Sequence, residues 1–243
     1  DPMNLYQLSE MDLFSGHANI RQAHVVVHDP RIAQQDETCL EGVFENPLIF
    51  EKRIQSQILE GNYVECQNLM SQIPSIHFKN APVLFIYKAL LKSFGNFSST
   101  EIDQLLSQTE ELDTNQRLTG EVTAVRALVQ SYLGNQEQAI QLSLKALSKI
   151  QPENIFFRQL SERNLGIAYA LRSQLRESAK WHENLLLSSY KLQDNDGILS
   201  AYNHLTYIRK VQGRLKEAKV IYKKALAYIQ DHGLEEYPHS IRI

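Results

Sequence analysis

Apolar positions recur at steps of three and four along most of this chain, and polar breaks interrupt them at nearly constant intervals. Leu48, Phe50, Ile54, Ile58 and Leu59 form one stripe that ends at Gly61. Tyr63, Cys66, Met70 and Ile73 form the next, which Pro74 stops. A second pair of helices is predicted over about 82–93 and 99–112, where Ser98-Ser99-Thr100-Glu101 supplies hydroxyl caps and an early acidic residue. Ala139, Leu142, Ser143, Ala146, Leu147 and Ile150 mark the return helix of a third pair, and Pro152 follows where that helix must have ended. A fourth pair is predicted over 160–171 and 175–192, and a fifth over 198–211 and 215–229. Between them Asp194-Asn195-Asp196-Gly197 has the composition of a turn, because Asp and Asn bond their own backbone and Gly tolerates positive φ.

The breaks are themselves repeated. Gly61-Asn62-Tyr63, Gly95-Asn96-Phe97, Gly134-Asn135-Gln136, Ser173-Gln174-Leu175 and Gly213-Arg214-Leu215 are spaced by 34, 39, 39 and 40 residues. A small residue at such a point permits a tight, often left-handed turn between antiparallel helices, and neither helix can bury its apolar face without neighbouring repeats. The expected fold is all-α: a right-handed superhelix of about five antiparallel helix pairs over residues 46–243, a binding scaffold and not an enzyme. Residues 1–45 read differently, as an N-terminal segment or linker. Ala23-His24-Val25-Val26-Val27-His28 gives a weak strand signal there, closed by Asp29-Pro30.

Composition narrows the function. The 243 residues are 43% hydrophobic, enough for an extended core, but no stretch approaches the roughly 18 apolar residues of a membrane span. The first residues lack the basic and apolar regions of a secretory signal, so the expected location is cytoplasmic. Cys39 and Cys66 are too few for a disulfide framework and lack CxxC spacing. The formal net charge of −3 disfavours direct nucleic-acid binding. The densest basic stretch, Arg209, Lys210, Arg214, Lys216, Lys219, Lys223 and Lys224, is expected to be a solvated helix face.

Catalytic and metal patterns are missing from the sequence. There is no GxxxxGK[ST], HExxH or GxSxG. His24, His28 and Asp29 could share a face, but no spacing signals a third metal ligand, so neither metal nor cofactor is expected. Glu110-Glu111 and Glu235-Glu236 read as solvated helix ends, and Asn96-Phe97-Ser98 is a glycosylation sequon in form only.

The phrases Asn164-Leu165-Gly166-Ile167-Ala168-Tyr169, Gly134-Asn135-Gln136-Glu137-Gln138-Ala139 and Gln212-Gly213-Arg214-Leu215-Lys216-Glu217-Ala218 resemble tetratricopeptide repeats. Leu165, Gly166 and Tyr169 match the first-helix signature. Ala139, Ala179 and Ala218 match the small residue of the second helix, and Tyr222 and Ala225 its later packing positions. The long period, the GRLKEA-like turn and the final Gly233-Leu234-Glu235-Glu236-Tyr237-Pro238 loop further resemble the sensor region of the large ATP-binding LuxR-type transcription regulators, the group that includes the maltose regulon activator. The likeness covers roughly 50–243. In that group the superhelix lies between an ATPase module and a helix-turn-helix, and it receives an inducer or a regulatory protein. The chain is accordingly expected to be an excised sensor domain, or a relative built without an ATPase.

The resemblance implies a signal-sensing domain that binds a small molecule, a peptide or a regulatory protein in its concave groove. The alternative is a free-standing protein-interaction scaffold or peptide-binding chaperone. Because the first helix of each pair lines the concave side of such a superhelix, the groove residues expected from the repeat register are Glu121, Val125 and Leu128 in the third pair. The fourth contributes Arg163, Asn164 and Ile167, and the fifth Asn203, His204, Tyr207 and Lys210.

Overall fold

A computed structural model describes residues 47–59, 62–94 and 97–235, and the expectations for residues 1–45, including the His24–Asp29 segment and Cys39, lie outside the described residues. The first two turn phrases fall partly outside them as well. Every regular element among the described residues is a helix. They are α1 (Pro47–Leu59), α2 (Tyr63–Gln72), α3 (Ser75–Asn80), α4 (Val83–Phe94), α5 (Ser99–Leu112), α6 (Thr119–Tyr132), α7 (Gln136–Lys149), α8 (Ile155–Leu171), α9 (Leu175–Leu192), α10 (Asn195–Val211) and α11 (Leu215–His232). The chain divides into two compact units, one holding α1 as far as Ile58 and α2 to α5, the other holding α6 to α11.

In the first unit the core takes in most of the predicted stripes, with Leu59 and Tyr63 only half-buried, together with further apolar positions. Phe50, Ile54, Ile58, Cys66, Leu69, Leu84, Ile86, Leu90, Ile102 and Leu106 are all buried. Ser98 caps α5 by accepting the Glu101 amide at 3.4 Å, as its hydroxyl predicts. The short α3 was not legible in the hydrophobic pattern. Pro74 does end α2, but it then stands at the N-cap of α3, where a missing amide hydrogen costs nothing.

The second unit is a run of antiparallel neighbours, with α6 against α7, α7 against α8, and so on to α11, and with α6 also touching α8. Three turn residues adopt the left-handed region anticipated for them: Gly134 at φ 81°, Ser173 at φ 59° and Gly213 at φ 72°. The small residues of the second helices lie at the seams. Ala139 and Ile140 of α7 pack with Leu165 and Ala168 of α8, flanked by Leu147, Tyr169 and Trp181. Ala179 of α9 packs with Leu205 and Ile208 of α10, and Ala225 of α11 with Ile198 and Tyr202. A methyl in place of a larger side chain is what lets the helix axes approach this closely.

Two helices start earlier than their stripes suggest. α8 begins at Ile155 instead of near 160, with Phe156 and Phe157 already buried. α10 begins at Asn195 instead of near 198. Gln193 alone makes the left-handed turn, at φ 55°, so Asp194 becomes the N-cap and the expected turn tetrapeptide continues as the first turn of helix.

Candidate functional site

The residues expected to form a groove are distributed over three helices of the second unit, and their environments differ. Glu121, at the head of α6, is buried, and its Oε1 accepts Asn154 Nδ2 at 2.8 Å. Since Asn154 is the N-cap residue of α8, Glu121 ties the start of one first helix to the start of the next. Val125 and Leu128 of α6 and Ile167 of α8 are buried in the core.

Arg163, on the central helix α8, is partly buried and holds two acids at the head of α10. Its Nη1 donates to Asp196 Oδ2 at 3.0 Å, and its Nη2 lies 3.8 Å from Asp194 Oδ2. Gln159, one turn earlier, donates to Ser189 Oγ at 2.6 Å and to Asp194 Oδ2. This network is packed tightly around Gly197, where a Cβ would fall 2.6 Å from Gln159 Nε2. Burial pushes the Asp194 carboxyl above its usual range. Arg163 opposes that shift, Asp196 adds to it, and hydrogen bonds from the Gly197 amide and Gln159 again favour the charged form. Asp194 Oδ1 is buried without a hydrogen-bond partner.

Next to Arg163 on α8, Asn164 is buried and its Nδ2 makes no hydrogen bond. His182 of α9 is fully buried, and neither of its ring nitrogens is hydrogen-bonded. It stacks on His204 of α10, which is held by a 2.8 Å hydrogen bond between Nδ1 and the Ser200 carbonyl. Burial lowers the His182 pKa well below that of a free imidazole, and the positive potentials of His204 and Arg163 lower it further. Gly166 explains how the ring fits: a Cβ at that position would be 2.7 Å from two of its atoms. The same Arg163 charge opposes the burial that pushes the Tyr132 hydroxyl upward at the end of α6. Arg163 thus couples electrostatically to groups on α6, α9 and α10.

Asn203, His204, Tyr207 and Lys210 all lie on α10. Asn203 is half-buried, Tyr207 is 43% exposed and Lys210 is exposed. The structure therefore brings together Arg163 and His204 around His182, places Tyr207 and Lys210 toward solvent, and puts Glu121 at the α6–α8 joint. Asp194, Asp196, Gln159, Ser189 and His182 were missed by sequence reasoning. The acids have the composition of a turn, and the other three sit where a repeat register calls for packing. The signal that could have found them is polar residues one turn apart on an apolar face, as Gln159 and Arg163 are.

Among the described residues no group of three or more His, Cys, Asp or Glu is placed to hold a metal ion, and no helix is long and apolar enough to cross a membrane. A family model described as the MalT-like TPR region matches residues 120–243, which begins one residue into α6 and takes in all of α7 to α11. No curated protein and no solved structure gives a significant match to the chain.

Proposed function

From a chain that belongs to the MalT-like TPR family, we infer a signal-sensing module of a transcription regulator, binding a small-molecule, peptide or protein effector along its first helices. The family match over 120–243 carries this reading, and the sequence resemblance to LuxR-type regulators supports it. The charge and geometry of α8 and α10 suit the role. Arg163 and the two acids it holds give a preorganised polar centre, while Asn203, Tyr207 and Lys210 offer an amide, an aromatic face and a cation on the accessible part of α10.

An effector that touched α10 would act on a helix already locked to α8 through Arg163, so binding would be felt in the adjoining repeat. The experiment is a thermal-shift and calorimetric screen of sugars, nucleotides, peptides and partner proteins, repeated on Asn203→Ala and Tyr207→Ala. Loss of affinity in both variants, at nearly unchanged Tm for the exposed Tyr207→Ala, supports the assignment, because changes at exposed positions typically move stability by about 0.5 kcal/mol or less. Full affinity in both variants for an identified effector would remove α10 from the site. Tight binding of extended peptides alone would favour a free scaffold instead.

A further inference from the structure

Between α9, the C-terminal end of α10 and the α10–α11 turn, a surface pocket of about 500 Å³ is lined by Arg176, Ala179, Lys180, Glu183, Arg209, Gln212 and Arg214. It shares no residue with the effector surface proposed above. The geometry points to a binding site for a small phosphate-bearing anion, distinct from the effector surface at Asn203, Tyr207 and Lys210.

Four of the seven lining residues are cations and one is a carboxylate. The carboxylates nearby are already committed to one wall. Glu183 accepts Arg209 Nη2 at 3.0 Å, while Glu217 takes Arg214 Nε and Nη2 at 2.7 and 2.6 Å and also lies 3.6 Å from Arg209 Nε. Counting Glu217 with the lining residues, four positive charges face two negative ones. These pairs fix Arg209 and Arg214 in orientation, so their guanidinium groups are preorganised and not free to swing.

The other wall is different. Arg176 and Lys180 stand one turn apart on α9, both exposed, and among the described residues neither forms an ion pair or a side-chain hydrogen bond. Like charges at this spacing on a helix repel, and a bound anion between them and the opposite arginines would relieve that repulsion. Arg214 is also the N-cap residue of α11 and makes no side-chain cap bond, which leaves the positive end of an 18-residue helix at the pocket rim.

Size and charge select the class of ligand. Sites for small metabolites span roughly 300–1,000 Å³, and the guanidinium fork of Arg176, which no carboxylate among the described residues occupies, can match a pair of phosphate oxygens. An extended polyanion such as nucleic acid meets a chain with formal net charge −3, whereas a single phosphate or pyrophosphate group experiences mainly the local excess of cations. The phosphate could be free or could belong to an ester, and both would use the same contacts.

The test is calorimetric titration of the whole chain with inorganic phosphate, inorganic pyrophosphate and a sugar phosphate, at low and at physiological salt. Arg176→Gln/Lys180→Gln is compared with Lys223→Gln/Lys224→Gln, a control of equal charge change on exposed positions of α11 outside the pocket lining. The expected result is saturable binding of at least one probe, weakened about tenfold or more in the first double variant and unaltered in the second, with Tm unchanged in both. Preference for the sugar phosphate assigns the site to an ester, and preference for the inorganic probes to free phosphate. Absence of saturable binding by all three probes, or equal weakening in the two double variants, overturns the proposal. The Asn203→Ala and Tyr207→Ala variants should keep phosphate binding intact, so failure here and failure of the effector reading are separable.

Discussion

The imidazoles of His182 and His204 stack with their centroids 4.3 Å apart and their planes 16° from parallel, joining α9 to α10 at a point where His182 has no hydrogen bond to either nitrogen. A buried ring in that state must remain neutral. Its pKa is lowered in the folded chain, so the unfolded chain binds the extra proton first, and stability falls as pH drops through the free-imidazole value of 6.5. The groups facing it, His204 and Arg163, act in the same direction. Replacing His182 by Phe keeps a stacked ring and removes the proton. Wild type should therefore lose stability relative to His182→Phe on acidification from pH 7.5 to 5.5, with a slope approaching about 1.4 kcal/mol per pH unit once well below 6.5. Parallel stability–pH curves for the two proteins, from melting or urea titration, would contradict this.

Arg163→Ala should destabilise the second unit clearly. It strips the cation from Asp194, whose side chain is almost completely buried, and removes the 3.0 Å bond to Asp196. Leaving a buried carboxylate uncompensated costs on the order of 3 kcal/mol. Adding Asp194→Asn to Arg163→Ala should recover part of that loss, which urea unfolding of the single and double variants will measure.

Ala139→Trp should lower stability by roughly 1–3 kcal/mol or more, because Ala139 is fully buried against Leu165 and Ala168. Lys216→Trp, on the exposed first turn of α11, should change it by about 0.5 kcal/mol or less. Equal Tm values for the two would mean that the seam is not where the alanines put it.

Ser173→Gly should raise stability by up to about 1 kcal/mol. Ser173 occupies φ 59°, the position that Gly134 and Gly213 hold in the neighbouring turns, and a side chain with a Cβ is strained there. An unchanged or lower Tm would show that the cost in unfolded-chain entropy outweighs the relief of strain.

These variants also show how far the sequence carried. The helical class, the turn positions at 134, 173 and 213 and the seam alanines were legible because period, left-handed turns and steric closeness each impose a residue type that survives in one chain. The MalT-like family match over 120–243 agrees with the resemblance read from the LGIAY-like and GRLKEA-like phrases. The polar core was not legible. Asp194 and Asp196 carry the composition of a turn, and only the placement of Arg163 and Gln159 opposite them turns that composition into an ion-pair network. His182 was hidden for a related reason: its burial depends on Gly166, sixteen positions earlier on another helix.

The link between α9 and α10 consists of only Gln193 and Asp194, and the second of these is fastened by its side chain to Gln159 and Arg163 of α8. Such a joint has no slack. A tilt imposed on α10 cannot be absorbed by the connector and must be handed on to α8 and α9 as leverage, so this stretch of the chain transmits displacement like a stiff gear train instead of dissipating it in a loop.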